Sequence, residues 1–228
     1  MISLLLSLAL LQQAPQAGDP AAPQDAVVEP AATPSDPSAD EAAAPLDDSA
    51  VLAEINDYLN TITTLRARFT QVAPDGSAAS GELSLARPGR LRFEYDDPNP
   101  IRVIADGTTL AVEDQDLETV DVIPLRSTPL WWILKSDIDL GEDAQLVGME
   151  REYGFLYVTL RDPGEDVDGE IMFVFAEPSL ELREWFVTDA LGEVTRVTLA
   201  DVETGISLNP RLFVVPERED RRDSRRGR

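Results

Sequence analysis

The chain has 228 residues, 43% of them hydrophobic, and carries 43 acidic against 19 basic side chains, a net charge of −24. Histidine and cysteine are both absent, which excludes Ser-His-Asp and cysteine-nucleophile catalysis, disulfides, and the usual zinc and haem ligand sets. So large an acidic surplus also excludes a sequence-independent grip on nucleic acid or anionic lipid, because both need clustered Lys and Arg.

Ile2 to Leu11, ISLLLSLALL, is an apolar run too short to cross a hydrocarbon core of about 30 Å as a helix. Residues 1–13 therefore read as a secretory signal peptide or, alternatively, an uncleaved tether, although the first basic residue of the chain is Arg66 and the charged leader start is missing. Residues 14–48 are mostly Ala, Pro, Asp, Gln and Ser, with no basic or aromatic side chain. Such a segment buries too little apolar surface to offset its ordering entropy, so a disordered acidic spacer is expected. Residues 217–228, EREDRRDSRRGR, read as a charged, solvated tail.

The folded domain is expected over 49–216. Ser49 suits a helix N-cap, and Leu52, Ile55, Leu59 and Ile62 follow at helical spacing to give one apolar stripe. From Leu65 the period changes to two. Strands are expected at 65–72, 81–87, 90–96, 101–106, 108–113, 117–123, 145–150, 153–161, 169–176, 180–188, 193–203 and 211–215, parted by turn signals such as Pro88-Gly89, Asp106-Gly107 and Leu191-Gly192. This pattern is an antiparallel meander, a large curved sheet or open barrel. One helical interruption breaks it: in RSTPLWWILKSD, Thr128 suits a cap, Pro129 the first helical position, and Leu130, Trp131, Trp132, Ile133 and Leu134 form a turn apolar on every side. It must be covered over most of its surface. The carboxylate clusters Asp96-Asp97 and Glu113-Asp114-Gln115-Asp116 fall in turns, where Asp bonds the local backbone. No acid pair, metal or cofactor site emerges, and an enzyme is not expected.

One residue breaks the pattern. In LSLARPGRLRFEY the positions Leu83, Leu85, Leu91, Phe93 and Tyr95 form one apolar face, and Arg87 falls in the same phase. A charged guanidinium on the inward face needs hydrogen-bond acceptors there, unless it curls out to solvent at the strand end.

The runs FTQ (69–71), GELSLARPGRLRFEY (81–95), DGTTL (106–110), TPLWWIL (128–134) and LFVVP (212–216) resemble the periplasmic outer-membrane lipoprotein carriers of the LolA type. That resemblance implies an incomplete antiparallel β-barrel of about eleven strands, closed by a lid of short helices. It implies a periplasmic, non-enzymatic, monomeric carrier without cofactor. Acylated lipoproteins would come from an inner-membrane lipoprotein-releasing ABC transporter, travel with their acyl chains in the cavity, and pass to an outer-membrane acceptor. On the same resemblance Arg87 hydrogen-bonds the lid and holds the empty carrier shut. Leu83, Leu85, Leu91, Phe93 and Tyr95 would form the cavity wall, and Leu52, Ile55, Leu59, Leu130, Trp131, Trp132, Ile133 and Leu134 the lid. The chain departs from the family in having Ala111 where relatives usually carry an aromatic and Leu91 where Phe is common; its cavity is expected to be smoother and more aliphatic. The alternative is a periplasmic lipid-sensing regulatory domain on the same half-barrel.

Overall fold

A computed structural model describes residues 47–128, 130–164 and 169–216. The leader, nearly all of the acidic spacer, Pro129 and the charged tail lie outside the described residues.

Eleven strands form one antiparallel sheet: β1 (Thr64–Val72), β2 (Ala78–Ala86), β3 (Arg90–Tyr95), β4 (Ile101–Asp106), β5 (Thr109–Asp114), β6 (Thr119–Pro124), β7 (Gln145–Glu152), β8 (Phe155–Arg161), β9 (Glu170–Ala176), β10 (Glu181–Thr188) and β11 (Val194–Thr204). The spatial order is β6-β5-β4-β3-β2-β1-β11-β10-β9-β8-β7. Each half is a meander of hairpins, and a single antiparallel seam, from Leu65 opposite Thr204 to Val72 opposite Arg196, joins them. β6 and β7 end the order without pairing, so the sheet is an open half-barrel. Irregular register between Arg66 and Arg68, Leu182 and Glu184, and Leu146 and Gly148 adds the local twist that bends so long a sheet.

Between β6 and β7 the chain leaves the sheet. A 3₁₀ turn (Leu125–Ser127) leads to α2 (Leu130–Leu134) and α3 (Leu140–Asp143). Ahead of β1 lies α1 (Asp48–Thr61). The α1 cap differs from expectation: Asp47 accepts from Ala50 N at 3.4 Å, and the Ser49 hydroxyl donates to Asp47 Oδ1 at 2.6 Å. Two acidic residues of the expected spacer thus belong to the helix start, where a carboxylate also suits the positive end of the dipole. The Thr128 hydroxyl donates to Leu125 O at 2.8 Å and closes the 3₁₀ turn that leads into α2.

The strand expected at 211–215 is a 3₁₀ turn, Pro210–Phe213. Pro210 has no N–H to give a ladder, and Asn209 Oδ1 accepts from Arg211 N at 3.0 Å to start the turn. The segment lies against β3 and β4: Arg92 donates to Leu212 O at 3.3 Å, and the Arg90 guanidinium sits 5.7 Å from the Phe213 ring centroid. Asp114 behaves as expected of a turn acid, its Oδ1 accepting from the N–H groups of Asp116 and Leu117, each at 3.0 Å.

The core fills the concave side of the sheet. Phe69 meets Phe93 and Tyr95 edge-on, with ring centroids 5.0 Å away in each case. Gly81 lets that cluster close: a Cβ there would stand 2.6 Å from the Phe69 ring and 2.1 Å from Glu94 O.

Candidate functional site

α1, α2 and α3 lie over the concave face as a lid. The α1 stripe is buried as its spacing requires, with Leu52, Ile55 and Leu59 facing inward, and Ile62 is buried one residue beyond the helix as its C-cap. In α2, Leu130, Trp132, Ile133 and Leu134 are buried, while Trp131 is half-buried and carries the Arg126 guanidinium 4.6 Å above its ring. The five strand positions Leu83, Leu85, Leu91, Phe93 and Tyr95 are all on the concave face and no more than 6% exposed. Wall and lid side chains form one continuous apolar cluster, with Trp131 at its margin. Each apolar surface is therefore kept from water by the other.

Arg87 lies where the two surfaces meet. Its Nε donates to Ile133 O at 2.8 Å, and its Nη1 donates to Leu59 O. Those carbonyls belong to the last turns of α2 and α1, at the negative end of each helix, and Leu59 O also accepts from the Ile62 N–H at 3.1 Å. The main chain adds to the grip: Arg87 N donates to Thr63 O at 2.8 Å and Gly89 N to Leu134 O at 2.7 Å. Burial pushes the guanidinium pKa down from 12.5 to about 10, so at neutral pH it remains charged and depends on these acceptors. Gly89 has φ +72°, and a Cβ there would come 2.6 Å from Gly107 Cα. Only glycine lets the β2–β3 turn nest against the β4–β5 turn.

Two lid residues escaped the sequence reading. Asn60 makes a two-point contact, its Nδ2 donating to Ile138 O and its Oδ1 accepting from Ile138 N, both at 2.9 Å. One turn earlier, Asn56 Oδ1 accepts from Leu140 N at 3.0 Å and its Nδ2 donates to Asp139 at 3.3 Å. The only signal available was a pair of poor helix formers four residues apart on one face of α1. Lys135, the one lysine of the chain, pairs with Asp143. These contacts join α1, α2 and α3 into one unit, and Arg87 fastens that unit to the sheet.

These residues build an open half-barrel whose apolar concave face is roofed by apolar helices. The profile described as "Outer membrane lipoprotein carrier protein LolA" matches residues 60–216, and the chain belongs to that family. An outer-membrane lipoprotein carrier protein from Alkalilimnicola ehrlichii is 31% identical over 180 residues, covering 72% of this chain and 79% of the relative. Another from Methylococcus capsulatus is 28% identical over 170 residues, covering 71% and 81%. Among solved structures, a DUF1329 family protein from Desulfovibrio piger superposes with a TM-score of 0.49 at 11% identity, covering 75% of this chain and 97% of that one. No helix among the described residues is long and apolar enough to cross a membrane.

Proposed function

We propose that this chain is a periplasmic lipoprotein carrier, working by reversible exchange of one apolar cover for another. In the closed state the lid shields the concave wall. In the loaded state the acyl chains of a lipoprotein lie between the lid and Leu83, Leu85, Leu91, Phe93 and Tyr95, and cover both apolar surfaces at once. The observation that carries the reading is the Arg87 guanidinium, set among apolar side chains and spent on the carbonyl ends of two lid helices.

The magnitudes suit a carrier that needs no fuel of its own. Two side-chain hydrogen bonds are worth about 1 kcal/mol each net, whereas sheltering acyl chains is worth about 0.8 kcal/mol per methylene. Eight methylenes thus give about 6 kcal/mol against about 2 kcal/mol from the guanidinium. Lipid opens the lid, and energy is required only where the chains leave the inner membrane. The donor is then an inner-membrane lipoprotein-releasing transporter and the recipient an outer-membrane acceptor.

The test is to purify the protein from a periplasmic extract and identify what comes with it by mass spectrometry. Acylated proteins are expected. Recovery of phospholipid alone would refute the carrier role and favour a lipid-sensing domain.

A further inference from the structure

Among the described residues, the concave face holds one buried side-chain donor without a hydrogen-bond partner in the closed protein. Trp185 of β10 pairs with Val197 and Phe173, both fully buried, so its side chain shares their inward face. It is 2% exposed and meets the Phe93 ring edge-on at 6.3 Å. Its Nε1 has no hydrogen-bond partner. The other polar groups buried on this face are satisfied: the Tyr95 hydroxyl donates to Gln71 Oε1 at 2.6 Å, and Gln71 and Thr195 have further contacts. The remaining orphaned atoms among the described residues, Arg66 Nε, Arg102 Nε and Glu113 Oε2, each face an opposite charge, with Arg66 and Glu82 at 3.6 Å and Arg102 and Glu113 at 2.9 Å.

An indole N–H can only donate, and it cannot lose its proton to escape the cost of burial. An unmade bond in such a place disfavours the closed, empty state. The group that would complete it must be a pure acceptor able to enter an apolar compartment. Acyl chains bring one such group, the carbonyl oxygen of the ester or amide that links each chain to its head.

We infer that the Trp185 Nε1–H accepts cargo by donating a hydrogen bond to an acyl carbonyl, and so sets how deep the chains seat. This rests on the carrier reading. Hydrocarbon contact alone lets a chain slide along the wall with little change in energy, whereas one fixed donor defines a register. The site would distinguish ester-linked acyl chains from ether-linked alkyl chains of the same length.

The experiment measures binding of a dipalmitoyl-glyceryl cysteine lipopeptide and of its dialkyl-ether counterpart, by displacement of a fluorescent fatty acid. Wild type is compared with Trp185→Phe, which keeps a ring in place and removes the N–H. Wild type is expected to prefer the diester about fivefold, the worth of one neutral hydrogen bond, and the variant to bind both alike. The ratio is taken within each protein, so a general loss of stability in the variant cancels. Equal binding of the two lipopeptides by wild type, or an undiminished preference in Trp185→Phe, would overturn the inference alone. Binding of neither would overturn the carrier reading as well. Diester and diether phosphatidylethanolamine form the third arm: a preference seen there and absent with the lipopeptide would overturn the assignment to lipoprotein cargo.

Discussion

Replacing Arg87 by leucine tests the closing device most directly. The substitution removes the bonds to Ile133 O and Leu59 O and leaves the two main-chain bonds of the same turn, to Thr63 O and Leu134 O. Bonds from a charged donor can reach about 3 kcal/mol each. Burial works against this one, however, as the drop of its pKa to about 10 shows, so the ordinary net of about 1 kcal/mol per bond is the better figure. Two bonds then amount to about 2 kcal/mol, a factor of about 30 in the equilibrium between open and closed empty protein. Uptake should survive, because acyl burial exceeds that sum. Release should suffer, because closure no longer helps to expel the cargo. The assay loads wild type, Arg87→Leu and Arg87→Lys with a fluorescent diacyl lipopeptide and follows its transfer to vesicles bearing an acceptor. The leucine variant is expected to load normally and to transfer up to about 30-fold more slowly, with the lysine variant, which keeps the charge and a single donor head, between them. Equal transfer rates for wild type and the leucine variant would refute the reasoning.

Three further outcomes are expected. Asn60→Ala strips both partners from the Ile138 peptide group; at about 1 kcal/mol or more per orphaned group, urea denaturation should show a loss of about 2 kcal/mol and amide exchange at Ile138 should quicken, and an unchanged exchange rate would disprove the clamp. Phe213 is 3% exposed on the convex side, so Phe213→Ala should cost about 3 kcal/mol, and a loss below about 1 kcal/mol would mean the C-terminal turn is not a structural strap. Burial raises the Tyr95 hydroxyl pKa well above its ordinary 10.0; between pH 10 and 12 the unfolded chain ionises there while the folded chain keeps its proton, so the contribution of Tyr95 to stability falls as pH rises. Thermal melts of Tyr95→Phe should show a less negative pH slope than wild type, and an identical slope would contradict the assignment.

How much of this could be read from the amino acids depends on how local each cause is. The strands were legible because alternation is written every two residues, and the lid because α1 carries a clean apolar stripe and α2 a solid apolar run. The oddity of Arg87 was legible from phase alone, and its bonding to helix ends from family resemblance. The turn at Pro210–Phe213 misled because LFVV has strand composition; the deciding facts were a proline without a donor and a convex surface awaiting cover. The Asn56 and Asn60 contacts reach segments about eighty residues away, a distance over which spacing carries no signal. Gly81 shows the same limit: nothing nearby in the chain announces that the Phe69 ring will lie against it. Trp185 lies within an expected strand and nothing in its spacing marks it; only the finished interior reveals that its N–H has no acceptor.

The seam between β1 and β11 has a consequence for how the protein is made. The first strand and the last are neighbours, so no strand pairing unites the two meanders until nearly the whole domain has been synthesised. Contacts of such long sequence separation form late. A nascent or truncated chain lacking β11 would hold both arms of the sheet without the strand that pairs them. The half-barrel is therefore complete only once its last strand, β11, takes its place in the sheet.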